Sequence, residues 1–210
     1  MTKGRLTAFT DGVVAIVITI LVLEIRFPAA PTLASLLAMR DVLTAYTISF
    51  IFVAVIWVTH HRVMKMTEKV DDRVIWANIF WLFWLTLCPA VTQWVGSNPG
   101  MFWPALAYVV VYTMWSFSFG ILTKQILKAN DDNTRGTQLL RHDRRSGLSM
   151  VINLLLIAAV FWHPTIGLFG VLSFQPSGYL LMKQLRKSKI VWKYKFYFHY
   201  VHDQDLFTCE

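Results

Sequence analysis

The sequence predicts an all-α membrane protein with six transmembrane helices. Three observations carry this reading. Hydrophobic residues make up 56% of the 210 residues and charged residues only 15%, too few for the surface of a soluble domain of this size. Apolar runs of about 20 residues, the length a helix needs to cross a bilayer at about 1.5 Å per residue, recur along the chain. The basic residues gather in the stretches between alternate runs, as the positive-inside rule requires of a chain threaded back and forth.

The first span, Leu6–Ile25, is the most informative. It carries Asp11 near one end and Glu24 at the other. A carboxylate at the centre of a spanning helix costs roughly 2.5–3.5 kcal/mol on insertion scales and less toward the ends, so such residues mark a function or a paired structural site. Lys3 and Arg5 precede the apolar stretch, as in a signal peptide. Asp11 interrupts that stretch, however, and it ends in Glu24-Ile25-Arg26 without a small-x-small cleavage site, so the segment is expected to stay as a span.

The remaining spans are read at Val42–Val63, Val74–Val95, Phe102–Leu122, Leu148–Trp162 and Ile166–Leu185. The fifth is short and Pro176 interrupts the sixth. Asn98-Pro99-Gly100 turns the chain between the third and fourth, and His163-Pro164 between the last two. The six spans make one membrane domain, residues 1–186. The tail, 187–210, mixes Lys193 and Lys195 with Trp192, Tyr194, Phe196, Tyr197 and Tyr200, a composition suited to a membrane surface. Interleaved cations and aromatics also stack on RNA bases, but no recognition module surrounds them and no nucleic acid is expected. The net charge of +8 is read instead as cytoplasmic loops facing anionic lipid.

With six spans, 18 of the 20 basic residues (all but Arg26 and Arg40) fall on the side of both termini. Both termini are therefore expected in the cytoplasm. Trp94, Trp103 and Trp162 fall at the opposite ends of their spans, where amphipathic rings favour the interface.

Enzyme chemistry finds little support. Cys88 and Cys209 lie far apart and give neither a disulfide framework nor metal-ligand spacing. Neither a Ser/His/Asp nor a Cys/His constellation is present, and no catalytic residue, cofactor or metal is expected. His60 and His61 with Asp11 form the one candidate acid–base or metal cluster. Adjacent histidines point about 100° apart on a helix, unlike an i, i+4 pair. A proton-coupled transporter using Asp11 or Glu24 is a further alternative. The two halves show no repeat that would favour an inverted-repeat transporter.

A helical wheel at about 100° per residue separates two jobs in the first span. Ile16, Ile20 and Leu23, at i, i+4 and i+7, fall on one face, with Thr19 beside them. They form an aliphatic ridge that is free to pack on lipid, on core or around a pore. Asp11 falls on the opposite side, toward neighbouring helices. Its expected partner is a histidine or arginine among His60, His61 and Arg62, with Asn78 able to join by hydrogen bond. Glu24 flanks the ridge. It reads either as an acid at a pore mouth or as an ordinary interfacial acid paired with Arg26.

Arg5-x-x-x-Phe9-Thr10-Asp11, followed by Gly-Val-Val-Ala-Ile-Val-Ile-Thr-Ile-Leu-Val-Leu-Glu, resembles the signature of the transmembrane protein 175 family of potassium channels. The usual signature has serine where Thr10 stands. Trp57-Val58-Thr59-His60-His61 resembles that family's Trp-x-x-His-His pattern. The resemblance covers about residues 5–185.

It implies a homotetramer of six-span subunits in a prokaryotic cell membrane, with the first helices surrounding the axis. It implies a potassium channel, weakly selective over sodium, that lacks a Thr-Val-Gly-Tyr-Gly carbonyl filter. By position, Ile16, Ile20 and Leu23 become stacked constriction rings, Thr19 a pore-lining polar layer and Glu24 part of the outer mouth. Arg5, Phe9, Thr10, Asp11, Trp57, His60 and His61 become structural. The implied partners are potassium ions, lipid and further copies of the chain.

Overall fold

The structure is a computed structural model and describes residues 1–130 and 145–173. Its helices are α1 (Lys3–Leu23), α2 (Leu33–Ala38), α3 (Arg40–Met66), α4 (Asp72–Thr86), α5 (Cys88–Ser97), α6 (Phe102–Ala129), α7 (Arg145–Val160) and α8 (Thr165–Ser173). No strand occurs among the described residues. Among the described residues, four apolar stretches are long enough to cross a membrane: α1, α3, α4 with α5, and α6. The fifth expected span is the 16-residue α7. The sixth begins as α8, and its continuation to Leu185 lies outside the described residues, as do residues 131–144 and the tail 187–210.

Local chemistry sets the ends. Thr2 caps α1, its hydroxyl accepting from the Arg5 N–H at 3.4 Å, and Asp71 caps α4 by accepting from the Val74 N–H at 2.9 Å. The third span is broken at Leu87, which keeps helical angles. Pro89 at the start of α5 has no N–H to donate to the Leu85 carbonyl, so the ladder opens there and a kink follows. Two glycines have clear reasons. A Cβ on Gly96 would lie 3.1 Å from both Ala45 Cβ and Val42 Cα, so glycine lets α5 press on α3. Gly100 turns the chain into α6 at φ 77°, a left-handed conformation.

Helix α6 is the centre of the fold and packs against α4, α5, α7 and α8. Its Tyr108, Tyr112 and Trp115 are fully buried with Phe52 of α3 and Trp81 of α4. The Phe52 ring lies 4.7 Å from that of Tyr112 and 4.9 Å from that of Trp115, centroid to centroid, in the tilted and edge-on geometries aromatic pairs prefer. A second, smaller cluster gathers Leu6, Val63, Met64, Val74, Ala77, Leu122 and Ile126 at the end of the bundle that carries the N-terminus. Beside it the loop after α3 is clamped from two sides. Lys3 Nζ donates to the Thr67 carbonyl at 2.6 Å, and the Asn130 side chain accepts from the N–H groups of Glu68 and Lys69 at 2.8 and 2.7 Å.

Candidate functional site

Helix α1 has two unlike faces. Leu6, Thr10, Val14, Val17 and Leu21, spaced by four, four, three and four residues, are its buried face against α3, α4 and α5. Phe9, Ile16, Thr19, Ile20 and Leu23 lie on the other side and stay uncovered: Ile16 is 58%, Ile20 38% and Leu23 76% exposed. The ridge drawn from the wheel is thus the face of α1 that the rest of the described chain does not cover. Arg5 is exposed on the same side.

The buried face is tied by polar groups at one height. Asn78 Nδ2 donates to Thr10 Oγ1 at 2.8 Å, and Asn78 Oδ1 sits 3.0 Å from His60 Nε2. An amide oxygen only accepts, so His60 is held as the Nε2–H tautomer. Thr10, Asn78 and His60 are all buried, and an apolar replacement at any of them leaves a neighbour unpaired. The His60 ring lies parallel to that of Trp81 at 4.8 Å.

Asp11 is held differently from expectation. Its Oδ1 accepts from the Trp57 indole N–H at 2.8 Å, rather than from a histidine or arginine of α3. The reason is helical register. Trp57 and His61, four residues apart, share a face, and their rings stack at 5.9 Å. His60 is turned about 100° away, into the interior with Asn78. Asn78 was expected beside Asp11; it bonds instead to Thr10, the residue before it. Trp57 was in the motif but not foreseen as a donor. Indole N–H groups carry only a donor, which makes tryptophan a natural partner for a half-buried carboxylate.

Glu24 caps the C-terminus of α1 and is half-buried beside Leu21 and Tyr46. Its anticipated alternative partner, Arg26, makes no ion pair with it among the described residues. Thr19 Oγ1 donates to the Ile16 carbonyl at 2.7 Å, which uses up its proton and leaves the exposed hydroxyl with acceptor capacity only. His60 and His61 do not converge, and no group of three metal-ligating side chains occurs among the described residues.

A second polar cluster was not foreseen. Ser49 Oγ lies 3.1 Å from the Tyr108 hydroxyl and 2.8 Å from Thr92 Oγ1, which is itself 2.7 Å from the Cys88 carbonyl. Thr92 has one proton, shared between Ser49 Oγ and the Cys88 carbonyl, while either hydroxyl of the Ser49–Tyr108 pair can donate. This relay braces the kinked third span against α3 and α6. Its only trace in the sequence is three hydroxyls within otherwise apolar runs.

Comparison with known proteins bears on the whole chain. Residues 5–89 match the family described as "Endosomal/lysosomal potassium channel TMEM175". A potassium channel of Chryseobacterium sp. (strain P1-3) is 36% identical over 168 residues, covering 80% of this chain and 88% of that one. A potassium channel of Chamaesiphon minutus is 37% identical over 95 residues, 42% of this chain and 47% of that one. Among solved structures, a lysosomal potassium-selective channel TMEM175 homolog from Chamaesiphon minutus superposes with a TM-score of 0.73 at 25% identity, over 86% of this chain and 97% of that one. With this fold, this motif and a relative matched along most of both lengths, the chain belongs to the TMEM175 family.

Proposed function

We propose that the chain is the subunit of a potassium channel, with α1 lining the pore of a homotetramer. The observation that carries this reading is the two-faced α1. One face is fixed to the subunit by Thr10, Asp11 and apolar packing, while the Ile16, Ile20 and Leu23 ridge, with Thr19 beside it, is left uncovered. The names borne by the relatives support potassium as the ion.

Four copies of Ile16, Ile20 and Leu23 around an axis make stacked apolar rings. A hydrated cation loses water ligands there and gains none, so a narrow ring blocks by dewetting and opens when the helices tilt or rotate. The acceptor lone pairs of Thr19 replace part of the lost coordination. They favour the cation that dehydrates more cheaply, which gives weak preference for potassium over sodium without a carbonyl filter. Glu24 fits an outer mouth. A carboxylate at a helix C-terminus opposes the macrodipole, at a cost of about 0.3–1 kcal/mol, so helix stability does not account for it. Four such groups raise the local cation concentration. Both termini then face the cytoplasm of a prokaryotic cell, with Lys3, Arg5 and the cluster after α3 on the inner side. The pore acts without a cofactor.

The test is ion flux from liposomes containing the purified protein. Potassium flux exceeding sodium flux and independent of a proton gradient is expected. Flux that requires the proton gradient would instead point to a transporter working through Asp11 or Glu24. Leu23→Asn and Ile20→Asn are expected to raise conductance, and Thr19→Val to reduce discrimination between potassium and sodium. Unchanged currents in all three would remove the ridge from the pathway.

A further inference from the structure

We propose that the crossover between α1 and α3, with α2 at its centre, is an interfacial anchor that docks on the headgroup–acyl boundary of the lipid leaflet. The inference rests on the membrane placement of the bundle and not on what passes through it.

Helix α2 buries none of its residues, and among the described residues its main neighbour is α3. The crossover is nevertheless rich in large apolar groups. Phe27 is 73%, Leu33 72% and Leu37 62% exposed, with Leu36 close behind. An ordinary water-facing loop does not hold four such side chains within eleven consecutive positions. Its polar groups are few, and its cations stand at the margins. Thr32 and Ser35 satisfy each other at the start of α2, with their oxygens 2.8 Å apart, and the exposed Arg26 and Arg40 bracket the segment. A short apolar helix flanked by cations is the pattern of an element that sinks its greasy side below the phosphates and keeps its guanidinium groups among them.

The height of the segment says which occupant fits. The crossover joins the end of α1 to the start of α3, beside the α5–α6 turn, since Gly96 packs on Val42 and Ala45. At that same end Trp94, Trp103, Phe161 and Trp162 are exposed, and Phe102 meets Phe161 at 5.1 Å. Exposed indole rings gathered at one end of a membrane bundle mark the interface level. The crossover continues this belt, with apolar groups on one side and cations fit for lipid phosphates at its edges. Arg40 touches Asp41 only loosely, at 3.8 Å with both side chains largely exposed, and Arg26 is exposed as well, so both guanidinium groups are open to lipid phosphates.

The experiment uses full-length protein in liposomes. Leu36→Cys and Leu37→Cys are made separately in a Cys209→Ser background and labelled with a small fluorophore; Cys88 is buried and stays unlabelled. Quenching is measured with lipids carrying a nitroxide at the headgroup or upper acyl chain, and with iodide in water. Lipid nitroxide is expected to quench both labels about twofold while iodide leaves them nearly unchanged. Quenching by iodide alone would place the crossover in water, and quenching by neither would place it under another copy of the chain; either result overturns the proposal. Leu33→Cys, on the same helix, checks that the first two labels have not displaced the segment.

Discussion

Helices α1 and α6 are both apolar enough to span a membrane, yet their own subunit treats them differently. In the most apolar window of α6, 50% of residues are buried, against 28% for α1. Helix α6 is wrapped by neighbours and filled with aromatics, and its role is to hold the others. Helix α1 is attached along one face, by apolar packing along its length and by directed polar contacts near its start, and its other face stays uncovered by the chain. Hydrophobicity alone therefore does not separate a wrapped helix from a half-covered one; the burial pattern and the position of the hydrogen bonds do.

The comparison breaks most severely at Trp115. Trp115→Ala removes a fully buried ring from the α6 core and is expected to cost about 3–5 kcal/mol, seen as a large drop in the melting temperature of the detergent-solubilised protein. A drop no larger than that for a lipid-facing residue would deny α6 its central role. Next in size is Asn78→Ala, which strands Thr10 and His60 together. We expect a loss of about 1–3 kcal/mol and faster hydrogen exchange in the first half of α1. Trp57→Phe keeps the ring against His61 but removes the donor to Asp11. About 1–2 kcal/mol is expected, since the site is half-open and the acceptor competes for water. At the bottom of the scale stands Ile16→Ala. Its effect on subunit melting is expected to stay within about 0.5 kcal/mol while flux changes, because the side chain touches little in its own subunit. A destabilisation as large as that at Asn78 would mean the ridge packs on its own fold.

Much of this was legible in the residues. The spans of α1, α3 and α6 follow from apolar length, and the division of α1 into an anchored face and a bare ridge follows from its helical period. What escaped was specific pairing. Sequence spacing says that Trp57 and His61 share a face and His60 does not, but which of these faces Asp11 depends on how α1 and α3 cross. The break at Leu87 was written in Cys88-Pro89, yet an apolar run hides it because hydropathy is blind to a missing N–H. The hydroxyl relay from Tyr108 to Cys88 joins four residues from three spans and exists only once they meet. The helix α2 is too short to give a periodic signal.

The polar ties of α1 to its subunit, through Lys3, Thr10 and Asp11, all lie in its first three turns. Beyond Asp11 only non-directional apolar contact remains. Val14, Val17 and Leu21 still bury that second half, but by contacts that can slide without a hydrogen bond breaking. Were the helix to pivot near Asp11, Leu23, twelve residues further along, would stand at a radius of about 18 Å, and a turn of about 5° would carry it about 1.5 Å, with Ile16 moving less than half as far.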